Sequence, residues 1–161
     1  MNKAHAGQIA ELINARNKLA KHYTADKIYA ARSTYLFELS EDGHVIGCLE
    51  VKKVQWYQFE IDHLSVAKDV EGKGVAWKLF MRAEDQAQQS RGRLLQCTIR
   101  EDNEDSVRFF KRNGFLKVAE FHYPDTGNNV GVWQKVISPK KPHARAGGPT
   151  IESPRGKRQK F

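Results

Sequence analysis

The chain has 161 residues, 40% apolar and 10% aromatic, which suits one globular domain with a buried core rather than a disordered chain. No apolar run reaches the ~18 residues a membrane span needs, and Gln8 and Glu11 interrupt the opening stretch MNKAHAGQIAELIN where a signal peptide has an unbroken core. A cytoplasmic protein without membrane contact is therefore expected. The net charge is +8, but beyond residue 138 seven Lys and Arg face the single acid Glu152, so +6 of that total belongs to the last segment.

Four of the five prolines fall in the same segment, with Gly147, Gly148 and Gly156. The composition predicts a domain over residues 1–138 and a disordered basic tail over 139–161. Cys48 and Cys97 each sit in a strand-like apolar run, without CxxC spacing, and read as buried free thiols. The six histidines form no HxxxH or HExxH pattern, so no metal is expected.

In chain order, Ile9, Leu12, Ile13 and Leu19 recur at helical intervals and predict an amphipathic helix over 7–21. TADKIYAARS predicts a shorter helix capped by Thr24. TYLFELS and EDGHVIGCLEVKKV read as two strands around an Asp-Gly turn, and YQFEIDHLSVA as a third. In that third strand Phe59, Ile61, Leu64 and Val66 predict apolar residues on both faces, with Glu60, Asp62 and His63 clustered early. Trp56 and Tyr57, between the second and third strands, read either as packed hairpin aromatics or as the lining of an acceptor pocket.

From Gly74 onward Val75, Ala76, Leu79, Phe80, Ala83 and Ala87 predict a helix ending near QSRGR. LLQCTI is a buried strand. NEDSVRFFKRNGF is a short helix with Asn103 at its start and Gly114 at its stop. FLKVAEFHY and NVGVWQKVI close the domain as two strands. The order implies an α/β fold, a mixed sheet with helices on its faces.

The stretch KDVEGKGVAWKLF, residues 68–80, turns from two glycines straight into a helix. Such a turn offers free backbone N–H groups at a positive helix end, a seat for phosphate. It lacks the third glycine of a dinucleotide fingerprint and the GK[ST] of a P-loop.

VAKDVEGKGVA, with Val66, Gly72, Gly74 and Ala76 in register, and IREDNEDSVRFFKRNGF, with Asn103, Ser106, Gly114 and Phe115, together resemble the GNAT superfamily of N-acetyltransferases over about residues 45–137. That family's signature is V-x-P-x-x-[QR]-G-x-G-x-[GA] leading into a helix, then a strand, an asparagine and a short helix ending in GF. The resemblance implies a GNAT-like, mostly antiparallel central sheet flanked by helices, and acetyl-CoA as acyl donor. Its pyrophosphate would lie on the turn formed by Glu71, Gly72, Lys73, Gly74, Val75 and Ala76, with Val66, Asn103, Ser106 and Phe110 along the rest of the cofactor's path.

The chain departs from the pattern at Lys68, where proline is usual, at Glu71, where Gln or Arg is usual, and at Phe110, where the family often has a tyrosine acid. Phenylalanine cannot donate a proton, so either water or another group such as Tyr123 returns it, or the chemistry is altered or lost. The family usually opens with a strand, whereas this chain begins almost directly in a helix, so that strand is expected to be missing or replaced.

For the base, the resemblance points to a carboxylate early on the strand before the turn. Glu60 is first, with His63 second and Asp62 beside them; each also reads as a satisfied polar residue at a strand end. The expected function is acetyl-CoA-dependent N-acetylation of an amine by direct transfer. Two further readings stay open. One is a nucleic-acid-modifying enzyme on the same fold, like the Mom-type DNA modification proteins, with nucleic acid bound through basic residues 140–160. The other is a noncatalytic CoA- or nucleic-acid-binding module.

Overall fold

The computed structural model describes residues 1–17 and 21–139. The basic segment 140–161 lies outside them, as does Leu19. Helices α1 (Lys3–Arg16) and α2 (Ala25–Ala30) precede strands β1 (Tyr35–Leu39), β2 (Val45–Gln55) and β3 (Gln58–Val66). Helix α3 (Val75–Gln89), strand β4 (Leu94–Arg100), helix α4 (Glu104–Arg112) and strands β5 (Leu116–Tyr123) and β6 (Asn128–Val136) follow. This is the element order read from the sequence.

Helix α1 starts four residues earlier than its apolar spacing suggested, because the Asn2 side chain accepts a hydrogen bond from the His5 backbone N–H and caps it. It also ends earlier, at Arg16. Asn17 takes an extended conformation and turns its side-chain amide back to the Ile13 carbonyl, 2.9 Å away. Ala6, Ile9, Ala10 and Ile13 form its buried stripe. Thr24 caps α2, as expected, by accepting from the Lys27 N–H.

The six strands lie in the order β1-β2-β3-β4-β6-β5, antiparallel throughout except for the β3–β4 pair. One face carries α1 and α2, whose Ile9, Ile13 and Ile28 pack with Tyr35 and Cys48 of the sheet. The other carries α3 and α4, with Leu79, Phe80, Phe110 and Phe115 packed on Leu49, Val51, Phe59, Ile61, Leu95 and Cys97. Phe110 meets Phe80, Phe109 and Phe115 edge-on, with ring centroids 5.0 to 6.5 Å apart. Both cysteines are free and buried, as their apolar settings implied.

Strand β3 corrects the expectation of apolar residues on both faces. His63 has φ of 55° and, with Leu64, stands opposite Leu49 alone, between the pairs Cys48↔Ser65 and Glu50↔Asp62. This bulge resets the alternation. Leu64 therefore rejoins Phe59 and Ile61 on the α3/α4 face, while Ser65 faces α1 and accepts from the Asn17 amide at 2.9 Å.

Candidate functional site

The parallel strands β3 and β4 pair only at Gln58↔Leu94, Phe59↔Leu95 and Glu60↔Gln96. Beyond that point they diverge without pairing, and the sheet opens into a wedge. Parallel strands splayed in this way leave a cleft at their carboxyl ends. Here it has a volume of about 240 Å³ and is lined by Ile61, Asp62 and His63 from β3, Cys97 and Thr98 from β4, Asn103 at the N-cap of α4 and Phe110 within that helix. A second cavity continues it toward the start of α3, bounded by Val66, Glu71, Ala76 and Ser106; Arg16, Asn17 and Asn103 line both.

At the wedge the bulge presents His63 to the α1/α2 side. Its Nε2 lies 2.8 Å from the Tyr23 hydroxyl and 3.9 Å from Glu50 Oε2, while Glu50 Oε1 accepts from the Thr34 hydroxyl at 2.8 Å. Tyr23 is itself fixed by two hydrogen bonds: its N–H donates to Asn14 Oδ1 and its carbonyl accepts from the Asn14 amide. Burial lowers the His63 pKa below its ordinary 6.5, against the pull of Asp62 and Glu50, so the imidazole is neutral at pH 7. Burial, Glu50 and Asp62 push the Tyr23 phenol up, so it keeps its proton.

Alternation along β2 sets Lys52 against the acids of β3, with its Nζ 2.6 Å from Asp62 and 3.7 Å from Glu60. Burial pulls the Lys52 pKa down, but the hydrogen bond and charge of Asp62 outweigh it and raise the value overall, keeping the ammonium. The Glu60 carboxyl is raised by burial and by Asp62. Its carboxylate faces Lys52 and Gln96, and it is not among the residues lining the cleft.

The glycine turn opens α3 as the sequence suggested. Gly72 and Gly74 have φ of 74° and 83°, a region other residues avoid, and a Cβ at either would meet nothing within 4 Å. Gly74 is the N-cap and supplies no side-chain cap, so the first-turn N–H groups of α3 have no intrahelical partner. These open, uncapped donors fit the phosphates of a CoA thioester. Glu71 does not fit them alone, but its carboxylate is held in an ion pair by Arg16.

A family profile described as Acetyltransferase (GNAT) family matches residues 7–115. The chain belongs to that family. As a member of the GNAT family it is an acyltransferase. A search of curated proteins finds no match. Among solved structures the fold is similar to Ard1 from Thermoplasma volcanium, at TM-score 0.75 and 17% identity over 85% of this chain and 94% of that one. It is similar to the ribosomal-protein-alanine N-acetyltransferase from Brucella melitensis at TM-score 0.73 and 14% identity, over 85% and 97% of the two chains. Rv2747 from Mycobacterium tuberculosis, solved in complex with CoA, gives TM-score 0.72 and 15% identity over 84% and 96%. At these identities the likeness is one of fold.

Of the residues that the GNAT resemblance singled out, Asp62, His63, Asn103, Ser106 and Phe110 meet in the cleft, and Val66, Glu71 and Ala76 line its continuation. Gly72, Lys73, Gly74 and Val75 form the turn beside it. Asn103 also caps α4, accepting from the Ser106 N–H at 3.2 Å. Tyr123 lies on β5, at the sheet edge two strands beyond β4, and lines neither part of the cleft. Trp56 is 82% exposed at the β2–β3 turn, and Arg93 stacks over Tyr57 at 4.7 Å.

Arg16, Asn17, Tyr23, Glu50 and Lys52 escaped the sequence reading. Only the last two carried a signal, two charges spaced two apart in an apolar strand. Among the described residues no group of three or more His, Cys, Asp or Glu could hold a metal ion, and no helix is long and apolar enough to cross a membrane.

Proposed function

We propose that this GNAT member transfers an acetyl group from acetyl-CoA directly to an amine. The observation carrying this reading is the continuity of one cleft, from the uncapped start of α3, past Asn103 and Ser106, to the neutral imidazole of His63. The CoA-bound neighbour of the same fold supports the donor.

The N–H groups of Gly72 and of residues 74–76 hold the diphosphate, that of Lys73 being donated to the Val70 carbonyl at 3.3 Å, and the wedge between β3 and β4 takes the pantetheine arm. When bound, acetyl-CoA supplies the acyl carbon and the departing sulfur. In the balanced reaction a C–N bond forms, the C–S bond breaks, and the proton shed by the amine is matched by one returned to sulfur. His63 takes the amine's proton, because it is neutral and lies in the cleft. Tyr23 orients the ring through Nε2, and Glu50 stabilises the imidazolium that forms. Phe110 cannot act as the acid, so the imidazolium formed at His63, rather than a group on α4, returns the proton to sulfur. Asp62 and Lys52 hold the acceptor side in a fixed charge pattern, and Glu60 is the second candidate base.

The reading is tested in two steps. Saturating acetyl-CoA should raise the melting temperature, because a ligand that binds only the folded state adds RT ln(1 + [L]/Kd) to stability. Labelled acetyl-CoA should then mark an amine in a pool of small amines and peptides bearing free N-termini, the latter included because one neighbour is named for acetylating a ribosomal protein. No thermal shift sinks the proposal.

A further inference from the structure

We infer that Arg16, at the end of α1, supplies positive charge to the cofactor's diphosphate in the cavity beside the glycine turn, and that Glu71 holds it ready. This rests on the acetyl-CoA reading above.

The problem is electrostatic. The acid Glu71 immediately precedes Gly72, where it competes with a phosphate for the same positive helix start. The cavity there also contains Asp105, so its lining holds two carboxylates, with Arg16 as the cation among them. Lys73 stands between the glycines but is not part of that lining. A diphosphate entering this space meets repulsion unless a cation comes with the site.

Arg16 is placed to be that cation. Its Nη2 pairs with Glu71 Oε1, and its side chain lines both the cavity at the turn and the cleft between β3 and β4. The backbone beneath it is anchored, because the neighbouring Asn17 amide donates to the Ile13 carbonyl and to Ser65 Oγ, each at 2.9 Å. The guanidinium carries five donors in a planar fork and can hold a carboxylate on one edge and a phosphate oxygen on another. Arg16 is 36% exposed and Glu71 48%, so the pair itself contributes little to stability and is free to rearrange. The function of the pair is then positional: Glu71 preorganises a long side chain that would otherwise lose rotamer freedom on binding.

The test is a calorimetric cycle with acetyl-CoA on the full chain, using Arg16→Ala, Arg16→Lys, Glu71→Gln and the Arg16→Ala/Glu71→Gln double variant. Arg16→Ala should weaken binding roughly tenfold or more, as expected for a lost charge-assisted hydrogen bond, and Arg16→Lys should restore part of it. Glu71→Gln should help more in the Arg16→Ala background, where the carboxylate is unmasked, than in the wild type. S-acetylpantetheine, which has no phosphate, should bind wild type and Arg16→Ala alike.

An Arg16→Ala affinity within twofold of wild type overturns the inference. So does an equal loss for S-acetylpantetheine, which would mean that Arg16 only shapes the cleft. Absence of acetyl-CoA binding in every protein, wild type included, overturns the donor reading along with it.

Discussion

The Tyr23 hydroxyl and His63 Nε2 stand 2.8 Å apart across forty residues of sequence, one on the loop after α1 and the other at the bulge of β3. Their rings meet nearly edge-on, with centroids 4.6 Å apart. In the acetyl transfer proposed above, His63 is the proton acceptor and Tyr23 its hydrogen-bond partner. His63→Gln should therefore lower kcat by about 10²–10⁴-fold, the usual contribution of a general base, and leave acetyl-CoA affinity unchanged. Tyr23→Phe should lower kcat less and also spare affinity.

The pH profile separates this role from a structural one. The groups facing His63 are Tyr23, Glu50, Lys52 and Asp62, and burial outweighs the two carboxylates to bring its pKa below 6.5. A depressed pKa means the neutral, proton-accepting form persists to lower pH. kcat/KM should fall on the acid side with an inflection below pH 6.5. His63→Gln should abolish the inflection, and a persistent one would assign the base elsewhere.

Glu60 gives the counter-test. Because its carboxylate faces Lys52 and Gln96 rather than the cleft, Glu60→Gln should change kcat by less than about tenfold, well short of a base's contribution. If Glu60→Gln instead abolishes turnover while His63→Gln remains active, Glu60 is the base.

Most of the fold was legible because each element carried its own period: three or four for α3, two for the early strands, and glycines where the chain had to turn. The glycine turn and Asn103 were legible for the same reason, since local backbone demands fix their residue types. The cluster at His63 was not. A bulge is one residue of slip with no compositional mark, and here it falls on a histidine, not a glycine. It turned an expected two-faced strand into one that aims His63 at Tyr23. Arg16 and Tyr23 reach the site only through the packing of α1 on the sheet, which no local pattern announces.

Gly74→Glu should abolish the thermal shift with acetyl-CoA. Gly74 has φ of 83°, so any side chain is strained there, and the new carboxylate would stand where the diphosphate seats. A second change guards against simple misfolding. Gly43, also at positive φ with open space around it, lies in the β1–β2 turn away from the cleft. Gly43→Glu should cost comparable stability and keep the shift.

Gly47 on β2 links core packing to the phosphate seat. A Cβ at this position would come within 2.6 Å of Val75 Cγ1 and 3.1 Å of Leu79 Cδ1, so the bare glycine is what lets the first turn of α3 lie close to the sheet. Val75 is the first helical residue and is β-branched, with little freedom to swing aside. Gly47→Ala must therefore push the start of α3 outward, at a cost of about 1–3 kcal/mol for overpacking, and the N–H groups of residues 75 and 76 move with it. Acetyl-CoA affinity should fall although no residue near the ligand has changed. Val75→Ala removes the obstructing methyl, so adding Gly47→Ala on that background should cost less stability and less affinity than in the wild type. Equal penalties in both backgrounds, read by chemical denaturation and calorimetry, would show that the close approach of β2 to α3 does not set the position of the turn.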